Sequence, residues 1–302
     1  MSKKHPIIAV TGSSGAGTST VKRAFEHIFA REKINPVVVE GDSYHKYNRL
    51  EMREVMTKAL AEGRDLSHFG VDANILDQLE ALFKEYGESG TGKKRYYLHN
   101  AEEAEHHNAR LKTSCQSGEF TPWEDLAPSS EILFYEGLHG GVVDEKTNLN
   151  VAQHVDLLVG VVPIVNLEWI QKISRDNAER GYSAEATVKT ILRRMPDYVN
   201  YITPQFSRTH INFQRVSTVD TSNPFIARDI PTPDESFVIV HTNRCFRERF
   251  DIDFTYLQSM IAGSFMSRHT TLVIPGGKMG FAMEIILSPI IDQMVAESKK
   301  LA

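Results

Sequence analysis

Apolar residues recur along this chain with two different periods. Residues 7–10, 37–39, 132–135 and 155–162 are short, nearly continuous apolar runs, the pattern of strands buried on both faces. Between the first two, Val21, Ala24, Phe25, Ile28 and Phe29 follow one another at helical spacing, which predicts a helix over 18–32. Strand, helix and strand in so short a span form a βαβ unit, whose two strands lie parallel. Further helices are predicted over 49–62, 73–86, 167–179, 184–201, 256–262 and 278–295, with strands at 95–98, 237–240 and 271–273. The stretch 87–130, rich in Gly, Ser, Glu and His, reads as an elaborated loop region, because strand signals resume directly after it. The expectation is one α/β domain over 1–302 with insertions and no internal repeat.

Composition narrows the class. With 41% hydrophobic and 24% charged residues, disorder and coiled coil are both excluded. A net charge of −5 argues against coating nucleic acid. Cys115 and Cys245 make neither a disulfide framework nor a paired metal spacing, which fits a reducing cytoplasm. No stretch approaches the roughly 18 apolar residues of a membrane span, and the apolar run at the start is too short for a signal peptide. A cytoplasmic chain without nucleic-acid or membrane partners is expected.

The strongest chemical signal lies between the first strand and the first helix. Gly12, Ser13, Ser14, Gly15, Ala16, Gly17, Thr18 and Ser19 match the phosphate loop G-x-x-x-x-G-K-[ST] everywhere except at the lysine, replaced by Thr18. Glycines are needed because consecutive backbone N–H groups must turn inward around a phosphate chain. The following helix N-terminus adds partial positive charge, and the Ser19 hydroxyl suits Mg²⁺. A Gly/Ser-rich turn that only caps a helix is the alternative. The missing ammonium calls for another cation, since a charge-assisted hydrogen bond is worth about 1.5–3 kcal/mol. Lys172, Arg175, Asp176 and Arg180 share one face of a predicted helix and suit a triphosphate with its metal. The same residues also fit a solvated face with i,i+4 pairs.

Asp42 follows the second strand, at the sheet edge where parallel folds bind ligands. A carboxylate there can take the proton of an attacking hydroxyl, or it can simply cap a helix. His45, Lys46, Arg49 and Arg53 crowd basic groups just downstream, which points to an anionic acceptor. Glu136, at the tip of the 132–135 run, is placed as the Mg²⁺-side acid of a phosphoryl-transfer site. His106 and His107 read as a solvated helix turn, and the two cysteines carry no chemistry.

Several stretches go beyond a general phosphate loop: 12–20, 40–45, 134–140, 166–173, 208–215 and 219–225. On these the chain resembles the bacterial phosphoribulokinase family, a group of P-loop kinases related to uridine and pantothenate kinases; threonine at the lysine position belongs to that family's pattern. The resemblance implies a P-loop nucleoside-triphosphate-hydrolase-like three-layer α/β fold with a mainly parallel, mixed sheet, insertions and a helical lid near 166–183. It implies ATP-dependent phosphorylation of D-ribulose 5-phosphate at its 1-hydroxyl, in the Calvin cycle, with Mg²⁺. By resemblance Asp42 is the base, and Lys172 and Asp176 take part in the chemistry. The nucleotide lies on Gly12 through Thr20 with Arg175 and Arg180 from the lid. His45, Arg49 and His99 hold the sugar phosphate, while Ser19, Glu136 and Asp176 lie by the metal. NADH activation through Arg31, Arg244 and Arg268, and a homo-oligomer, typically an octamer, are also implied. A kinase for a neutral acceptor such as uridine or pantothenate, and a nucleotide-binding regulator without transfer activity, are the competing readings.

Overall fold

The computed structural model describes residues 4–12, 18–226 and 229–301, with only the backbone path given for 18–20 and 179–180. Its frame is a sheet of β1 (Ile7–Gly12), β2 (Pro36–Glu40), β3 (Ile132–Gly137), β4 (Leu157–Val161), β5 (Ile211–Ser217), β6 (Ser236–Thr242), β7 (Phe265–Arg268) and β8 (Thr271–Pro275). Their order is β7-β8-β6-β5-β4-β1-β3-β2. The first five strands pair in parallel, and β6, β8 and β7 extend the sheet antiparallel. The mainly parallel, mixed sheet of the expected fold is therefore present.

The helices are α1 (Thr18–Glu32), α2 (Arg49–Ala61), α3 (Leu76–Ser89), α4 (Ala101–Leu111), α5 (Val165–Arg180), α6 (Ala184–Asp197), α7 (Arg244–Arg249), α8 (Phe254–Met260) and α9 (Met279–Leu301). Alternation along β1 sets the layers. Ile8 and Val10 face a core built with Val21, Phe25 and Ile28 of α1 and Met283 and Leu287 of α9. Ile7 and Ala9 face the opposite core, with Leu79 and Phe83 of α3. Phe25 stacks on Phe134 of β3 at 4.6 Å between ring centroids, pinning α1 to the sheet beside the strand that carries Glu136. Losing such a ring costs about 3–5 kcal/mol.

Four expectations need correction. The 95–98 strand does not form: pairing is confined to Lys93–Lys94 with Glu124–Asp125, and Tyr97 makes only an isolated bridge to Phe120. The loop-like region holds a real helix, α4, capped by the Asn100 side chain on Glu103 N; its apolar face is too short to show as a periodic pattern. The predicted 184–201 helix stops at Asp197, just past Pro196, and continues as a π-helical turn, Tyr198–Ile202. The helix over Gly276–Leu301, in which an 18-residue window has mean hydropathy 1.4, is long and apolar enough to cross a membrane by length and composition, against the expectation that no stretch comes close. Its apolar residues, among them Ile286, Ile290, Ile291 and Met294, are instead buried against the sheet. Strands β5 and β7 and helix α7 had no clear signal: both strands mix polar with apolar residues, and α7 has only six residues.

Candidate active site

The carboxyl ends of β1, β2 and β3 meet at one edge. Register pairs Glu40 with Glu136 and Thr11 with Gly137, and Gly12 ends β1 beside Val161. Beyond β2 the chain turns in a short 3-10 segment, Gly41–Tyr44, which carries Asp42. Glycine is required where this turn passes β3. A Cβ on Gly41 would lie 2.7 Å from Tyr135 Oη and 2.8 Å from Gly137 Cα. That close approach lets Asp42 and Glu136 line one cavity of about 440 Å³, together with Glu40, Lys22 and His99.

Asp42 is held between two imidazoles. Its Oδ1 lies 3.5 Å from His45 Nε2, and its Oδ2 lies 3.6 Å from His99 Nε2. Each histidine is positioned by local chain chemistry. His45 N donates to Asp42 O at the end of the turn. Three residues on, Asn48 caps α2 in a reciprocal capping box with Glu51, so α2 starts at Arg49. His99 N donates to Glu103 Oε2 at 2.8 Å just before the α4 cap. The Arg49 guanidinium donates to the His99 carbonyl at 2.8 Å and to Ser117 Oγ at 3.2 Å, which joins α2 to the His99 segment. Asp42, His45 and Arg49, neighbours in sequence, are thus brought together with His99, which lies 50 residues beyond Arg49.

Behind Asp42 lies a buried imidazole cluster that the sequence did not reveal. His45 and His68 stack at 3.9 Å between centroids, and His139 bonds the Phe69 carbonyl at 2.9 Å. Burial, then the neighbouring His139, His99, Arg194 and Arg95, push His45 down to about 3. Burial likewise lowers His68, and it holds His139 at about 4 despite the Phe69 carbonyl and Asp42. These rings are neutral near pH 7. They offer hydrogen bonds beside Asp42 without adding fixed charge.

Helix α5 supplies the second cluster. Lys172 and Asp176, one turn apart and both buried, pair at 2.5 Å, and Arg175 Nη2 lies 3.3 Å from the other Asp176 oxygen. The i,i+4 pair of the alternative reading does form, but on a buried face and not a solvated one. Burial, then the Arg194 guanidinium, lowers Lys172 to about 8 against the opposing pull of Asp176. Arg194 of α6 sits 5.2 Å over the Phe69 ring and depresses both Lys172 and His45, so it links the α5 cluster to the Asp42 side. Sequence reading missed Arg194. It also missed Lys22, one helical turn past Thr18, whose Nζ lies 3.5 Å from Glu40 Oε1 in the Asp42 cavity.

Ser13, Ser14, Gly15, Ala16 and Gly17, and the side chains of Thr18, Ser19, Thr20 and Arg180, lie outside the described residues. Both Asp176 oxygens face cations, Lys172 on one side and Arg175 on the other. Among the described residues no group of three or more His, Cys, Asp and Glu side chains is gathered to hold a metal. Mg²⁺ needs less than that: one or two carboxylates, with phosphate oxygens and water as the rest. The Glu40 and Glu136 pair at the strand ends, in the cavity that Asp42 lines, fits that requirement. The three arginines expected at an effector site make separate contacts. Arg31 bonds Glu32 and Ser288 and lies near Glu284, Arg244 bonds Glu248, and Arg268 pairs with Thr271 beside a different cavity.

A family model described as the phosphoribulokinase / uridine kinase family matches residues 7–222. Over 303 residues the chain is 56% identical to the plasmid phosphoribulokinase of Cupriavidus necator, with 100% of each chain covered. It is 57% identical to the probable phosphoribulokinase of Escherichia coli (strain K12), again with 100% of each covered. A solved structure of phosphoribulokinase from Rhodobacter spheroides superimposes with a TM-score of 0.87 at 52% identity, covering 99% of this chain and 100% of that one.

Proposed function

The chain belongs to the phosphoribulokinase / uridine kinase family, and from that premise we propose that it transfers the γ-phosphoryl group of ATP to the 1-hydroxyl of D-ribulose 5-phosphate. The products are ribulose 1,5-bisphosphate and ADP, and the reaction belongs to the Calvin cycle. The observation that carries this reading is the Asp42 carboxylate, set 3.5 and 3.6 Å from two imidazoles at the edge where β1 enters the phosphate loop.

The 1-hydroxyl oxygen bonds to the γ-phosphorus as the bond to the β,γ-bridging oxygen breaks, its proton passes to Asp42, and ADP leaves with the electron pair. His45 and His99 orient the Asp42 carboxylate, and with Arg49 they receive the anionic sugar. Lys172 and Arg175 of α5, with Arg180 by family resemblance, would meet the nucleotide phosphates in the role that the phosphate-loop lysine has in related proteins. Glu136, with Ser19, would hold Mg²⁺, which when bound neutralises charge on the transferring phosphates. Asp176 keeps Lys172 and Arg175 in place.

Regulation and assembly extend the proposal. NADH is the activator, acting through Arg31, Arg244 and Arg268, and the chain works in the cytoplasm as a homo-oligomer, octameric by family resemblance. Assembly is supported by the sheet's edge, where exposed Phe265 of β7 packs edge-on against Phe237. Separate contacts of the three arginines within one chain are consistent with an effector site completed by a second copy.

Coupled ADP-release assays with a panel of acceptors test the activity. Turnover is expected with ribulose 5-phosphate. Turnover with uridine or pantothenate alone would overturn the acceptor, and ATP binding without acceptor-dependent ADP release would make the chain a regulator. Asp42→Ala is expected to lower kcat by several orders of magnitude with ATP affinity kept; a matching loss of ATP binding would make Asp42 structural.

A further inference from the structure

The Asp42 turn is gripped from behind by an arginine that sequence reading left inside a presumed strand. Arg95 Nε donates to the Ser43 carbonyl at 2.8 Å, and its Nη2 donates to the His45 carbonyl at 2.7 Å. Those two carbonyls flank Tyr44, so a single rigid fork spans the chain that carries Asp42 and His45. The guanidinium is itself held by aromatic faces, 3.8 Å from the Phe120 centroid and 4.9 Å from that of Trp123. Trp123 in turn packs edge-on against Tyr44, at 5.9 Å. Tyr97, two residues on, bridges Phe120 and stacks edge-on against both His45 and His99.

We propose that Arg95 is a positioning residue for the phosphoryl transfer, fixing the Ser43 and His45 carbonyls so that the Asp42 carboxylate stays between His45 and His99. Three physical points support this. Ordinary turn hydrogen bonds are already supplied by His45 N to Asp42 O and Ser43 Oγ to Glu40 O, so the turn forms without Arg95. What Arg95 adds is direction, because two parallel charge-assisted bonds fix the tilt of the turn and not merely its existence. Its own geometry is fixed by the Phe120 and Trp123 faces, whose ring quadrupoles attract the guanidinium. Among the described residues no carboxylate pairs with this half-buried guanidinium, which makes it costly to keep, and its bonds to the Asp42 turn give it a use.

The inference rests on Asp42 acting as the base, so Asp42→Asn is measured in parallel with Arg95→Lys, Arg95→Met and Trp123→Leu. In Arg95→Met, kcat with ribulose 5-phosphate is expected to fall about a hundredfold, the effect of a misplacement near 1 Å, while the ATP dissociation constant changes less than about twofold. Arg95→Lys keeps the charge but replaces the rigid two-nitrogen fork with a single nitrogen on a flexible stem, and it is expected to lose most of the same rate. Trp123→Leu, at a partly exposed site, leaves both hydrogen bonds and is expected to lower kcat about threefold to tenfold, the worth of one cation–π face. Should Arg95→Met fail to fold, the Lys and Leu variants decide. Full rate in Arg95→Lys, or kcat and ATP affinity falling together, overturns the positioning role. If Asp42→Asn retains activity, the base assignment fails first. If Asp42→Asn is inactive while a folded Arg95→Met is fully active, only the present inference fails.

Discussion

Gly137 faces Gly41 so closely that a Cβ on Gly137 would stand 2.6 Å from Gly41 Cα and 2.6 Å from Tyr135 Oη. The two glycines bring the end of β3 against the Asp42 turn, and Glu136 is the residue immediately before one of them. Gly137→Ala is therefore expected to lose about 1–3 kcal/mol to overpacking and to lower kcat, because the strand ends must part. Thermal unfolding and steady-state rates measured together check this. An unchanged melting temperature would show that the strand ends tolerate the methyl group.

Gln205 has every amide valence used. Its Oε1 accepts from Thr11 Oγ1 and Gly141 N, both at 2.9 Å, while its Nε2 donates to the Leu138 and Tyr201 carbonyls at 2.8 and 2.7 Å. The network ties the end of β1, where the phosphate loop begins, to the segment after β3. Gln205→Leu leaves several buried groups without partners, each costing about 1–3 kcal/mol. Urea unfolding should show a lower midpoint with an unchanged slope. A midpoint equal to that of the parent would mean that water or rearrangement satisfies the same groups.

Lys172 titrates near the working range. Held down to about 8 by burial and by Arg194, it loses its charge as the medium turns alkaline, and kcat/KM is expected to fall above about pH 8. Lys172→Arg, always charged, should lose rate at neutral pH and also lose this limb. Arg194→Met removes the adjacent like charge and should move the limb to higher pH. A limb at the same pH in both variants would assign it to another group.

The buried histidines make the fold sensitive to acid. His139 at about 4 and His45 at about 3 lie below the ordinary 6.5 of an unfolded chain. Between those values the unfolded chain binds more protons, so stability rises with pH and is lost as pH falls from 6.5 toward 4. Each such histidine contributes a slope of about 1.4 kcal/mol per pH unit inside its window. His139→Gln should flatten the dependence by one of these slopes, read from denaturant midpoints at several pH values. A slope equal to that of the parent would show that His139 takes up no proton on unfolding.

Strands β1 to β4 were legible because each is a nearly continuous apolar run and α1 repeats its apolar residues every three to four positions; β5, the fifth parallel strand, is interrupted by polar residues and was not. Asp42 and Glu136 were legible for the same reason, since an acid just past a buried strand has to emerge at the sheet's edge. The 95–98 segment misled because Tyr96, Tyr97 and Leu98 have strand-like side chains, yet Arg95 grips the Asp42 turn and Tyr96 and Tyr97 line its cavity. Lys172 and Asp176 read equally well as surface pairs. Both are buried once α5 has packed against α6 and the rest of the fold.

The linear order of residues by itself determined the class of chemistry here. Turn glycines, strand ends and helix periods depend on neighbours a few positions away, and those are written locally. Tertiary structure alone decided which charges are buried, which imidazoles stay neutral, and which carbonyls Arg95 holds. Those properties depend on desolvation and on contacts between residues such as His45 and His139, or Lys172 and Arg194, that meet only once the sheet, α5 and α6 have packed.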